Sequence, residues 1–146
     1  MANSCKAAAI PGEHGHEVGV METWAWNKHV GLAFQLVDDV LDFEGDLLTL
    51  CKPVLNDLRQ GLGTAPVLLA AQEQPRLYDL IQRKFGASGE ADEALGLVEA
   101  LDGIKRAKDV VRFQAEAAME AIFHLSYSSE RESLVQLGHK VVNRTH

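Results

Sequence analysis

The chain has no cluster of lysine or arginine, and too few of either to balance its acids. Fourteen basic residues face twenty-one acidic ones among 146, a net charge of −7. That balance excludes a phosphate-backbone binder, which needs a basic stripe. No apolar run reaches about eighteen residues, so no segment is expected to span a bilayer as a helix. The opening Met1-Ala-Asn-Ser-Cys-Lys6 lacks the apolar centre of a secretory signal. Cysteine is scarce: Cys5 and Cys51 lie far apart, as in a reduced, intracellular protein, and Cys5 reads as a small buried apolar side chain. No apolar–polar alternation of useful length is present, which excludes a sheet protein. Nor is there an internal repeat or a low-complexity linker.

What the sequence does have is helical periodicity. Hydrophobic residues make up 47% of the chain, enough for a core, and the length fits one domain or a piece of one. Pro11 to His16 is a loop by its glycines and proline. A long helix is expected from Glu17 to Phe43, with Val18, Met21, Ala25, Leu32, Leu36 and Phe43 on recurring faces and its second half apolar nearly all round, hence central and buried. Gly45 reads as its stop. A short helix over 54–60 ends at Gly61-Leu-Gly63. Thr64 is a candidate cap for the next, with Pro66 in its first turn. Arg76–Phe85 forms another helix, stopped by Gly86 and Gly89. Glu90, Asp92 and Glu93 open one that runs to Leu101. The stripe Ile104, Ala107, Val111, Ala115, Ala118, Ile122 and Leu125 marks a long amphipathic helix, and Ser129 with Glu132 forms a capping-box pattern before the last. The expected fold class is all-α.

Chemistry concentrates in one run, Phe34-Gln35-Leu-Val-Asp38-Asp39-Val-Leu-Asp42-Phe43. In a helix Asp38 and Asp42 are i and i+4, Asp39 and Asp42 are i and i+3, and Gln35 lies one turn earlier on the same side. A solvated acidic helix end would look the same in isolation. Here the neighbours Leu32, Phe34, Leu36, Val37, Val40, Leu41 and Phe43 argue for burial, and buried charge needs a partner. The negative end of the helix dipole also disfavours acids there. A hard divalent cation is the partner that carboxylate oxygens suit, and magnesium commonly shares its shell with substrate phosphates.

Other candidates carry less. His14, His16 and Glu17 in a glycine-rich loop have the composition of a metal cluster without a specific spacing, so exposure to solvent explains them. His29 fits a polar helix face. Trp24 and Trp26 cannot share one helix side, so one is expected in a core and the other at an interface. Arg59 fits a surface ion pair better than a phosphate contact. Arg83, Lys84, Lys105, Arg106 and Lys108 fit solvated faces.

The aspartate run, with Lys52-Pro53, Asp57-Leu58, Gly61 and Thr64-Ala-Pro66 downstream, resembles the second aspartate-rich motif of trans-polyprenyl diphosphate synthases. The solanesyl and decaprenyl diphosphate synthases, which make quinone side chains, are the nearest in look. Asn3-Ser-Cys-Lys-Ala7, Asp102-Gly103-Ile104 and Val141-Val-Asn-Arg-Thr145 extend the likeness over nearly the whole chain. The resemblance implies the C-terminal part of an antiparallel isoprenoid-synthase helix bundle, in which residues 1–146 would be a partial synthase domain. It implies Mg2+ held by Asp38, Asp39 and Asp42, with Asp38, Asp39 and Lys52 catalytic. Gln35 and Lys52 would contact substrate, Lys52 as a point charge on the allylic diphosphate. Isopentenyl diphosphate would be the co-substrate.

Several positions depart from the family's pattern. The first aspartate-rich motif, a Lys-Thr pair and the basic residues for isopentenyl diphosphate are not in this sequence. Cys51 stands where a glycine is usual, which would strain that turn if it needs φ > 0. Glu44, Asn27 and His29 replace other common residues. The expectation is a prenyltransferase portion inactive alone, or a non-catalytic subunit that binds and regulates a full-length synthase. A plain helical interaction module is a third reading. A homo- or hetero-oligomer with a synthase subunit is expected, because a half-bundle leaves helix faces uncovered. By analogy with ubiquinone makers the compartment is mitochondrial, with plastid and bacterial cytoplasm as alternatives.

Overall fold

A computed structural model of the chain describes residues 17–44 and 55–144. Every regular element among them is a helix: α1 (Glu17–Glu44), α2 (Asn56–Arg59), α3 (Ala65–Ala71), α4 (Pro75–Gln82), α5 (Glu90–Ala100), α6 (Gly103–Phe123) and α7 (Ser129–Val142). The all-α expectation is met. Gly45, Cys51, Lys52, Pro53, His14, His16 and the Asn3–Ala7 run lie outside the described residues.

Helix α1 is buried along one stripe rather than all round. Trp26, Ala33, Val37 and Val40 recur at spacings of seven, four and three and are buried, whereas Met21 and Leu32 are exposed. The expected apolar face at Met21 and Leu32 is therefore an outer one. Trp26 enters a core and Trp24 does not: Lys28 Nζ lies 5.4 Å from the Trp24 ring centroid.

The described residues form two units, one of residues 38–109 and one of those before 38 and after 109. In the first, Leu58, Val67, Leu77, Leu80 and Val98 are fully buried, joined by Phe43, Leu55, Ala70, Phe85 and Ala94. Burying each large aliphatic side chain contributes roughly 1.5–3 kcal/mol. In the second unit Trp26, Ala118 and Ile122 form the centre, with Val30, Met119, Leu125 and Leu134 against them. The Ala118–Ile122 part of the sequence stripe is core, as its spacing predicts.

Three of the helix ends that differ from the sequence reading have a physical cause on view. Helix α4 starts at Pro75, where the missing N–H costs nothing, and Gln74 caps it by accepting from the Arg76 N–H. It ends at Gln82, and the reversal falls on Lys84 (φ 55°) and Phe85 (φ 52°) instead of on Gly86 or Gly89. Phe85 is buried, and its packing holds a left-handed backbone that a glycine would adopt unaided. At α7 the cap is Ser128, not Ser129: Ser128 Oγ accepts from the Arg131 N–H at 3.1 Å. Ser128→Ala should cost about 0.5–2 kcal/mol, read as a lower urea midpoint at unchanged m-value; an unchanged midpoint would show the cap to be idle.

Surface pairs dress the first unit. Arg76 grips Glu93 with two bonds of 2.7 and 2.9 Å. The Arg76 hydrogen bond, helped by the Arg76 and Arg83 charges, holds the Glu93 carboxyl below the usual range against an opposing effect of burial. That small stabilisation is present at neutral pH and fades as acid titrates Glu93 through its lowered value.

Candidate metal and diphosphate site

The acids of the aspartate motif sit on the last turns of α1, where peptide carbonyls and not N–H groups are left over. Asp39 is buried, Asp38 and Asp42 are half-buried, and Gln35, one turn earlier, is exposed. Asp38, Asp39 and Gln35 all have interaction partners. The neighbouring apolar residues do bury the motif in part, as expected. Val37, Val40 and Phe43 are all buried beside it.

Partners for two of the acids come from peptide groups far along the chain. Asp42 Oδ1 accepts from the Asn56 N–H at 3.2 Å and Oδ2 from the Asp57 N–H at 3.1 Å. Its carbonyl accepts from the Leu55 N–H at 3.1 Å. Asp39 Oδ2 accepts from the Ala65 N–H at 3.1 Å, the first residue of α3. Thr64 occupies the cap position of α3 in extended geometry, yet its hydroxyl makes no capping bond, and Thr64 Oγ1 is buried with no hydrogen-bond partner. The expected Thr64 cap is thus replaced by a carboxylate twenty-six residues upstream. A cap side chain accepts from the N2 or N3 N–H, the N2 residue Pro66 has none, and Asp39 takes the N1 donor as a charged acceptor.

A short range of sequence cannot show such bonds, but a signal was there. Helix α2 begins after Leu55, which has no side-chain acceptor, and it adopts φ 60°, ψ 32°. A helix start with an apolar residue at the cap implies an acceptor supplied from elsewhere.

Among the described residues no three His, Cys, Asp or Glu side chains converge as a metal-holding group. In kind, the carboxylates of α1 fit a hard divalent cation, and magnesium is commonly held by only one or two carboxylates, with water and phosphate oxygens completing its shell. His29 plays no part in such a group: its Nδ1 lies 2.7 Å from Gln114 Oε1, a polar-face contact. Lys52 lies outside the described residues.

Residues 1–98 match the polyprenyl synthetase family. A prenyl transferase of Synechocystis sp. is 41% identical over all of this chain and 45% of its own length. The mitochondrial solanesyl-diphosphate synthase 1 of Oryza sativa is 36% identical over 99% of this chain and 35% of its own. Among solved structures, a polyprenyl synthase from Caulobacter crescentus complexed with calcium and isoprenyl diphosphate is 28% identical, with a TM-score of 0.77 over 98% of this chain and 45% of that one. The chain spans between a third and a half of the curated relatives it matches. Every regular element among the described residues is a helix, Asp38, Asp39 and Asp42 end the longest of them, and with residues 1–98 matching its model the chain belongs to the polyprenyl synthetase family.

Proposed function

We propose that this chain is the portion of a magnesium-dependent trans-prenyltransferase that presents the second aspartate-rich motif to a diphosphate. The substrates are an allylic diphosphate and isopentenyl diphosphate, and the product is a long polyprenyl diphosphate of the kind that becomes a quinone side chain. The acids Asp38, Asp39 and Asp42 supply negative charge at the end of α1 toward Mg2+. Gln35, exposed one turn earlier on the same helix, offers an amide to substrate oxygens. Lys52 adds a point charge for the allylic diphosphate. When bound, the divalent ion neutralises charge that develops on the departing diphosphate. Mitochondria are the proposed compartment, as the name of the rice relative suggests.

The observation that carries this reading is a partly buried carboxylate cluster at the negative end of the longest helix, in a family with a solved member complexed with calcium and isoprenyl diphosphate. Among the described residues no helix is long and apolar enough to cross a membrane. The test is ligand-linked stability. Magnesium with inorganic pyrophosphate, each well above its dissociation constant, should raise Tm by several degrees, since a hundredfold excess is worth about 2.7 kcal/mol. Asp38→Asn should abolish the rise. A wild-type Tm indifferent to magnesium and pyrophosphate together would sink the proposal.

A further inference from the structure

Away from the aspartate motif, the outer face of α6 is not that of an ordinary solvated helix. Phe113, Glu116, Glu120 and Phe123 follow one another at spacings of three, four and three, and so share one side. All four are exposed, Phe113 at 63% and Phe123 at 68%. Glu116 and Glu120 stand one turn apart and repel, where a lysine in place of either would attract. Neither makes an ion pair with a described residue. Phe123 is held in place, because the Arg131 guanidinium lies 5.0 Å from its ring centroid.

Beside this face, α7 and α6 leave a groove of about 550 Å3. Ala115, Met119 and Val142 give it an apolar floor, and the exposed Glu116 and Glu120 stand at its rim. Gly138 has no side chain, and the Met119 methyl takes the space a Cβ would need. The floor therefore includes a flexible thioether, which adapts to the shape set upon it. From Ala115 to His124 the groove follows about 14 Å of α6, at a rise of about 1.5 Å per residue. Among the described residues no lysine or arginine lines it.

We propose that this groove docks a short amphipathic helix of another protein, one that carries lysine or arginine beside its apolar stripe. Such a helix covers 14 Å in two to three turns of about 5.4 Å each. Apolar anchors at i and i+4 reach the floor, and basic residues flanking them meet Glu116 and Glu120. The same two carboxylates turn away other users of an apolar floor. A diphosphate or an anionic bilayer meets like charge there. A second copy presenting this face would set acid against acid. The docking needs neither a metal nor the proposed catalysis, and the groove lies wholly within the unit that excludes residues 38–109.

The probe is a peptide of about fifteen residues made of leucine and lysine alone, with leucine at i, i+3, i+4 and i+7. Titrated into the whole chain carrying 13C-labelled methionine methyls, it should shift the Met119 signal and leave that of Met21, on the exposed side of α1, in place. Its dissociation constant should be on the order of micromolar. Glu116→Lys together with Glu120→Lys should weaken binding about tenfold or more, the equivalent of about 1.4 kcal/mol. Asp79→Lys with Glu99→Lys, which changes the net charge equally at exposed positions of the other unit, should leave it unchanged. Ala115→Phe fills the floor without altering charge and should also weaken it. A Met119 methyl that stays put, or equal weakening by the Asp79 and Glu99 reversals, would overturn the proposal in favour of bulk attraction to an acidic chain. So would a chain that sediments as a dimer and accepts peptide only as it dissociates, since a second copy would then fill the groove.

Discussion

Given magnesium, an allylic diphosphate and radiolabelled isopentenyl diphosphate, the 146-residue chain on its own will transfer no label into extractable prenyl product above the enzyme-free blank. Prenyl transfer of the proposed kind depends on cations fixed around a leaving diphosphate, and the stabilisation is electrostatic and preorganised. Each 1.4 kcal/mol of it is worth tenfold in rate. This sequence has one DDxxD run, and among its described residues no three metal-binding side chains converge. If the proposed reaction needs a second aspartate-rich motif, as the resemblance implies, its absence from this sequence forfeits several such factors at once. Turnover by the purified chain would refute the expectation. A second arm mixes the chain with a full-length polyprenyl synthase. Increased turnover of that enzyme, with none from the chain alone, would favour the reading as a non-catalytic subunit.

Gly103→Ala is the substitution expected to damage the 38–109 unit most for its size. Gly103 opens α6 against α3 and α5. A Cβ built there meets the Pro66 carbonyl oxygen at 2.6 Å, Val98 Cγ1 at 2.9 Å and the Val98 carbonyl oxygen at 3.2 Å. Alanine normally gains up to about 1 kcal/mol over glycine inside a helix. Two of the three obstacles are backbone, which no rotamer change relieves, so overpacking at about 1–3 kcal/mol or more outweighs that gain. The net expectation is a clear loss in the urea midpoint. The control is Gly138→Ala, whose Cβ crowds the flexible end of Met119 and touches Val30 Cγ2 at an ordinary 4.0 Å, and which should be nearly neutral by comparison. A neutral Gly103→Ala would mean that the α3–α5–α6 junction yields easily.

Helix identity was legible because it is a local property: the apolar spacing of α6 and the acidic first turn of α5 lie within a few residues of what they specify. Helix ends were legible where a left-handed glycine marked them, as at Gly61 after α2 and Gly89 before α5. They were not where packing did the work, as at Lys84 and Phe85, whose left-handed backbone has no residue-type signature. The candidate site divided along the same line. That Asp38, Asp39 and Asp42 share a helical turn follows from spacing alone. The partners of Asp39 and Asp42, at Ala65, Asn56 and Asp57, stand 14 to 26 residues away, and nothing in a linear pattern names a peptide N–H as an acceptor's destination. Burial among apolar neighbours is real, but it does not by itself call for an ion, because peptide dipoles can neutralise a carboxylate too.

Three chain segments meet through two side chains of a single helical turn. Fraying ordinarily begins at a helix terminus and works inward one residue at a time. At this end of α1 that gradual route is closed, since unwinding past Asp42 and Asp39 would release α2 and α3 together. The region should breathe in one cooperative step, all or nothing, so whatever rests on the end of α1 meets either the assembled surface or none.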